Sequence, residues 1–329
     1  MQRRLVLGLC APLHGAVERL STRPGDLTIV SSEPLPPDTD ESNVTHERSR
    51  PDDASAYPTR ADVVLVASGD DGYELVAVPE FGGAAVEYGL DAPFEVEYHD
   101  AVPSTNARAR ELAAEGATDV AVLADEQTGG RGRLDRAWAS PSGGIWLSVL
   151  FRPDVPMAGT PVFTLAAAVA VTRAAREAGV EAVIKWPNDV LVEVDGEERK
   201  LVGILTEMEG EADRVSWVIV GIGINANIDP DALPSDADAT SLSAVRGEPV
   251  DRRRFTQRVL ETFDTVGDDP EAVLDEWRDY ASTLGRQVRI DTPDGEVVGE
   301  AVDIEYPGSL VVDTGDERVT VAAGDCDHL

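Results

Sequence analysis

From about residue 94 onward, short apolar runs alternate with polar turns, and their periodicity assigns most of the chain. Runs at 94–98, 120–124, 145–151, 183–185, 190–194, 201–207 and 215–224 predict strands. Residues 105–114, with Ser104 placed to cap the start and Gly116 to end it, predict a helix. So do the alanine-rich stretch 162–178, apolar enough to pack across a sheet, and the periodic stretches 252–266 and 270–283. Beyond Leu284 the runs shorten to 287–291, 297–304, 309–313 and 318–321, broken by turns such as Pro293-Asp294-Gly295 and Pro307-Gly308. Four or five strands in about 45 residues predict a small β-barrel. The expected class is α+β: a mixed sheet with helices over 94–283, then a barrel over 284–329.

Before residue 94 the pattern fades. Residues 3–20 predict one helix, and 31–60, with Pro34, Pro36, Pro37, Pro51 and Pro58 among Ser, Asp and Glu, predict a disordered linker. Residues 62–67 and 73–78 flank Ser68-Gly69-Asp70-Asp71-Gly72 and predict a hairpin. Residues 1–60 therefore read as a disordered or degenerate segment, and 61–93 as a hairpin and linker.

Composition narrows the setting. The chain has 62 acidic and 28 basic residues, a net charge of −34, and only two of the basic residues are lysines. Such self-repulsion suits concentrated salt, so we expect a halophilic source. It also argues against coating nucleic acid, which draws on dense Lys and Arg contacts to phosphate. Cys10 and Cys326 are far apart and lack ligand spacing, so neither a disulfide framework nor a zinc site is expected. No apolar run reaches the ~18 residues of a membrane span, and residues 5–10 are too short for an export signal, which points to the cytoplasm.

Both lysines sit in motifs suited to chemistry. Lys185 opens Lys185-Trp186-Pro187-Asn188-Asp189, between two strands, where polar side chains reach a strand edge; Asp189 and Asn188 are candidate Mg²⁺ ligands beside phosphates. Lys200 opens a strand with Leu201, Val202, Gly203 and Ile204, so it is half-buried and needs an anion. Gln127-Thr128-Gly129-Gly130-Arg131-Gly132-Arg133 combines glycines that turn N–H groups toward an anion with two guanidinium groups. Gly221-Ile222-Gly223-Ile224-Asn225 permits close ligand approach, although it lacks dinucleotide-loop spacing. There is no Ser/His pair, Cys nucleophile or metal cluster. That combination suggests phosphates positioned and neutralised while the substrates supply the nucleophiles, as in nucleotidyl transfer.

Taken in order, Ser104-Thr105-Asn106, Gln127 to Arg133, Trp138, Lys185 to Asp189, Lys200 to Ile204 and Gly221 to Asn225 resemble the biotin protein ligase family, over about residues 95–329. The resemblance implies a biotin/lipoate-ligase-like catalytic domain with an SH3-like barrel. It also implies two steps: biotin and MgATP form biotinyl-5′-AMP, then a lysine of a biotin carboxyl carrier domain takes the biotin. By resemblance, Ser104, Thr105 and Gln127 hold the ureido ring and Gly203 lets the bicycle pack closely. Gly130 and Gly132 belong to the biotin site with Arg131 and Arg133, the two arginines order the loop over the intermediate, Arg133 also offsets phosphate charge, Lys200 bridges carboxylate and α-phosphate, and Trp138 walls the adenylate. Lys185, Asn188, Asp189 and Asn225 form the ATP and Mg²⁺ side. The departure is Asp135, where the family commonly has a further glycine. Many members carry an N-terminal winged helix-turn-helix that binds DNA; here only a wing-like hairpin is recognisable, so DNA binding is not expected. Some members pair their sheets, which leaves a homodimer open. A lipoate or octanoate ligase of the related fold and a biotin-responsive transcriptional regulator are the alternative readings.

Overall fold

The computed structural model describes residues 18–19, 64–68, 72–77, 81–211, 214–234, 238–267 and 269–329. The linker expected over 31–60 lies outside them, as does most of the helix expected over 3–20. Its only described residues, β1 (Glu18–Arg19), pair antiparallel with β3 (Gly72–Ala77), so the end of that helix is corrected to strand. The predicted hairpin is present: β2 (Val64–Ser68) pairs antiparallel with β3.

The central sheet has seven strands in the order β4-β5-β6-β10-β9-β8-β7. These are β4 (Glu95–Val102), β5 (Val120–Gln127), β6 (Ile145–Phe151), β7 (Val183–Lys185), β8 (Asp189–Val194), β9 (Glu197–Glu211) and β10 (Arg214–Ile224). Only β4 and β5 run parallel, because helix α2 (Thr105–Ala114) carries the chain across between them. Every other neighbouring pair is antiparallel.

Both sheet faces are covered, which is why the strands read as nearly continuous apolar runs. On one face α2 packs Ala109 and Ala113 on Val120, Val122, Leu150 and Ile219. On the other, α3 (Pro161–Glu177), α4 (Arg252–Gly267) and α5 (Pro270–Tyr280) close a core with Ala121, Leu123, Leu147, Val149, Val218 and Val220. The segment Met157–Glu177 is long and apolar enough to cross a membrane by length and composition, contrary to the sequence expectation. In the fold its apolar side chains are mostly buried on the sheet. Residues 81–87, expected to be linker, also join this core. Phe81 meets Tyr98 edge to face, and α1 (Gly83–Glu87) buries Ala85 and Val86.

The C-terminal sheet is antiparallel, in the order β14-β13-β12-β11-β15. Its strands are β11 (Gln287–Thr292), β12 (Gly295–Glu305), β13 (Ser309–Asp313), β14 (Arg318–Val321) and β15 (Asp325–His328). Val288, Ile290, Ala301, Ile304, Leu310 and Val312 belong to the same buried cluster as the central sheet. Two hydrogen bonds from Trp186 tie the parts together. Its indole Nε1 donates to Gly308 O (3.0 Å) and its backbone N to Thr283 Oγ1 (3.0 Å).

Candidate active site

Glycines and one bulge shape the cleft. In neighbouring strands Asp189, Gly203 and Gly223 lie in one row across β8, β9 and β10. The β8–β9 register slips between Val190 and Leu191, leaving Leu201 without an opposite residue. The slip turns Lys200 onto the face that Gly203 presents. Lys200 Nζ then sits 2.6 Å from Asp189 Oδ1 and 5.2 Å from the centre of the Trp138 ring. Trp138 lies flat on the glycine row: a Cβ on Gly203 would be 3.0 Å from the ring, and one on Gly223 2.5 Å from Nε1. The buried Nε1 of Trp138 has no hydrogen-bond partner.

A polar network lines one end. Ser104 caps α2, accepting from Ala107 N (3.3 Å), which places Thr105 at the helix start. The backbone N and Oγ1 of Thr105 both donate to Gln127 Oε1, at 2.8 and 3.1 Å. Gln127 Nε2 donates to Ser140 Oγ (2.9 Å). Behind Thr105, the fully buried Ser148 Oγ lies 2.7 Å from Thr105 Oγ1 and 2.6 Å from Asn106 Oδ1, and Asn106 Nδ2 donates to Glu207 Oε2 (2.8 Å). Gly221 makes room for Asn106, because a Cβ there would come within 2.2 Å of Asn106 Oδ1.

The glycine-arginine loop closes the other end. Gly132 N donates to Arg136 O (2.8 Å) and Trp138 N to Gly130 O (3.0 Å), folding 130–138 back on itself. Leu134 and Asp135 both take left-handed backbone angles (φ 54° and 57°) without being glycine. Arg133 Nη1 donates to Asn188 Oδ1 (3.0 Å) and Nη2 to Gly324 O (3.1 Å) of the C-terminal sheet. Lys185 and Arg131 form no ion pair among the described residues, so their charges are available to a ligand.

These groups line one cleft of about 910 Å³. Ser104, Thr105, Gln127, Arg131, Gly132, Arg133, Trp138, Lys185, Asn188, Asp189, Lys200 and Gly203 all border it. Two expected residues do not. Asn225 is 2% exposed beneath the cleft, with Nδ2 3.5 Å from Lys200 O and Oδ1 unpartnered. Gly130 packs inside the loop, where a Cβ would come within 2.5 Å of Trp138 O. The open face expected at Gly203 is covered by Trp138. Among the described residues no three His, Cys, Asp or Glu side chains cluster to hold a metal.

Sequence reasoning gave no role to several residues that line or support the cleft. Asn106 follows Thr105 directly, and Ser148, which supports the pair from behind, is the lone polar residue of Ile145–Phe151; a hydroxyl inside so apolar a strand was the signal available. Asp291, Asp325, Cys326 and Asp327 reach the cleft from the far end of the chain, with no local signal. Burial pushes the Cys326 thiol up to about 11, with Lys185 pulling the other way, so it stays protonated at neutral pH.

Residues 98–225 match the biotin/lipoate A/B protein ligase family, and residues 283–329 match the biotin protein ligase C-terminal domain. The bifunctional ligase/repressor BirA of Bacillus subtilis is 41% identical, over 74% of this chain and 78% of its own length. The biotin--[acetyl-CoA-carboxylase] ligase of Mycobacterium tuberculosis is 37% identical, over 69% of this chain and 86% of its own length. The biotin protein ligase of Aquifex aeolicus, solved with biotin and ATP, superposes with a TM-score of 0.59 at 26% identity, covering 71% of this chain and 98% of that one.

Proposed function

The chain belongs to the biotin protein ligase family and is an ATP-dependent biotin--[acetyl-CoA-carboxylase] ligase, and from that premise we propose how its cleft divides the work. The observation that carries the assignment of roles is the meeting of Arg133, Lys185 and Lys200 in one cleft with the Thr105–Gln127 network.

In the first step a biotin carboxylate oxygen attacks the α-phosphorus of ATP, the bond to the β-phosphate oxygen breaks, and pyrophosphate leaves with biotinyl-5′-AMP remaining. The reactants are both anions, so the cleft must screen their approach. Lys200 does so at the reacting oxygens, leaving Asp189 as it turns to the ligand. Arg133 and Arg131 meet the phosphate from the loop, and Lys185 with Asn188 meets the departing pyrophosphate. Ser104, Thr105 and Gln127 bind the ureido ring, and Trp138 stacks between bicycle and adenine. In the second step the neutral amine of a carrier-domain lysine attacks the acyl carbon, the amide forms, AMP takes the electrons of the broken C–O bond, and the amine loses its proton. Asp189, a carboxylate beside an asparagine amide, fits Mg²⁺, which takes one or two carboxylates plus phosphate oxygens. The ion would supply further neutralisation of the phosphates.

The acceptor is a biotin carboxyl carrier domain, and the charge of −34 supports a ligase that leaves DNA alone. Residues 94–283 serve as the catalytic domain and 284–329 as the barrel. The test is biotin-dependent ATP–pyrophosphate exchange in molar KCl, with lipoate in a parallel arm. Exchange with biotin alone, reduced at least about a hundredfold by Lys200→Met, is the expected result. Exchange with lipoate alone would move the assignment to the related acyl ligases.

A further inference from the structure

Two arginines of the loop are already engaged: Arg133, which the reading above turns to the phosphate, and Arg136, which borders the same cleft. Asp325, first residue of β15, forms an ion pair with Arg136 and has Oδ1 3.8 Å from Arg133 Nη1. The carbonyl of its neighbour Gly324 takes the other Arg133 nitrogen. Asp325 itself borders the cleft, with Asp291 and Asp327 beside it on the same sheet. A carboxylate from the C-terminal sheet thus stands where an anionic ligand would look for its cations.

We propose that Asp325 is a tethered anion that occupies Arg133 and Arg136 in the ligand-free enzyme and must yield them when the phosphates of ATP enter. Two features of the loop agree. Leu134 and Asp135 hold left-handed angles that cost non-glycine residues free energy, so the folded loop depends on contacts at its flanks. Arg133 and Arg136 are those flanks, and both are anchored at Gly324 and Asp325. Leu134, at the tip, is 74% exposed and makes no contribution to the core. The carboxylate therefore does two things: it keeps the empty loop folded, and it opposes the ligand's negative charge for the same guanidinium groups. The meeting of Arg133 with the phosphate rests on the proposed reading of the cleft, whereas the hold on the empty loop does not.

Two measurements at one fixed KCl concentration test this with Asp325→Asn, which keeps the side chain's size and removes its charge. The first uses ligand-free protein and thermolysin, which cuts on the amino side of exposed leucine, so cleavage at Leu134 reports release of the loop. Cleavage should quicken severalfold in Asp325→Asn and in Arg136→Gln, which breaks the pair from the other side, with unchanged thermal midpoints showing that both variants fold. The second is ATP-dependent pyrophosphate exchange. The KM for ATP should fall about two- to fivefold in Asp325→Asn, the size expected for releasing a part-exposed ion pair, and by more than any change in kcat. Faster cleavage with an unchanged or raised ATP KM would overturn the proposal, leaving a structural clasp. Unchanged cleavage in both variants would overturn it as well. If wild-type protein supported no exchange, the reading of the cleft would fail, and the cleavage measurement would still judge the hold on the loop.

Discussion

Ser148 shows how a single hydroxyl can matter to the site without touching its ligand. It has one proton facing two acceptors, Thr105 Oγ1 and Asn106 Oδ1, in a place water cannot reach. Removing it strands buried polar atoms, and Ser148→Ala should lower stability by about 1–3 kcal/mol in urea unfolding. The same change frees Thr105 to turn away from Gln127, so the KM for biotin should rise. An unaltered biotin KM in a destabilised variant would mean that the network supports the fold alone. Residues such as Lys200, Arg133 and Lys185 were legible in the sequence because a charged group among glycines or apolar neighbours needs a reason. Asn225 was legible as a candidate but not its depth, since burial depends on what packs above it.

Elements announced themselves when their own residues decided them. Helix α2 starts and ends where its serine cap and the later Gly116 require, and β6 coincides with its apolar run. Strand β15 was invisible: Asp325, Asp327 and His328 look like a polar tail, and only pairing with β11 makes them a strand. Its last side chain is held between Glu198, Arg286 and Thr283. Burial pushes His328 below its usual 6.5, against an opposing hydrogen bond to Glu198, so the folded protein favours the neutral ring. The unfolded chain therefore takes up the proton first as pH falls through about 6.5, and stability should decline there. His328→Asn should flatten that part of a melting-temperature profile. A second decline belongs to the β4–α2 junction. Burial alone would raise the Glu97 carboxyl, but hydrogen bonds with His99 and Arg108 hold it down to about 2. Its contribution is present above about 4.5 and lost as pH falls toward 2, and Glu97→Gln should remove it. A variant profile parallel to wild type in either window would discard that assignment.

Taken together, 62 acidic residues oppose compaction through mutual repulsion that salt screens over about 10 Å at 0.1 M and about 3 Å at 1 M. The melting temperature and the exchange rate should both rise between about 0.1 and 2 M KCl. A flat response would speak against the salt-adapted reading.

The placement of β15 also bears on how this enzyme is made. Most of the cleft comes from residues 104–204, but one wall arrives only with residues 325–327, and until then Arg136 lacks its carboxylate and Arg133 holds Asn188 alone. On the ribosome, the catalytic sheet can assemble while that wall is still unsynthesised. A chain stopped by a premature codon before Gly324 would therefore carry most of the ligase sequence with an unfinished cleft, so that competence to charge biotin also reports that translation ran past that point.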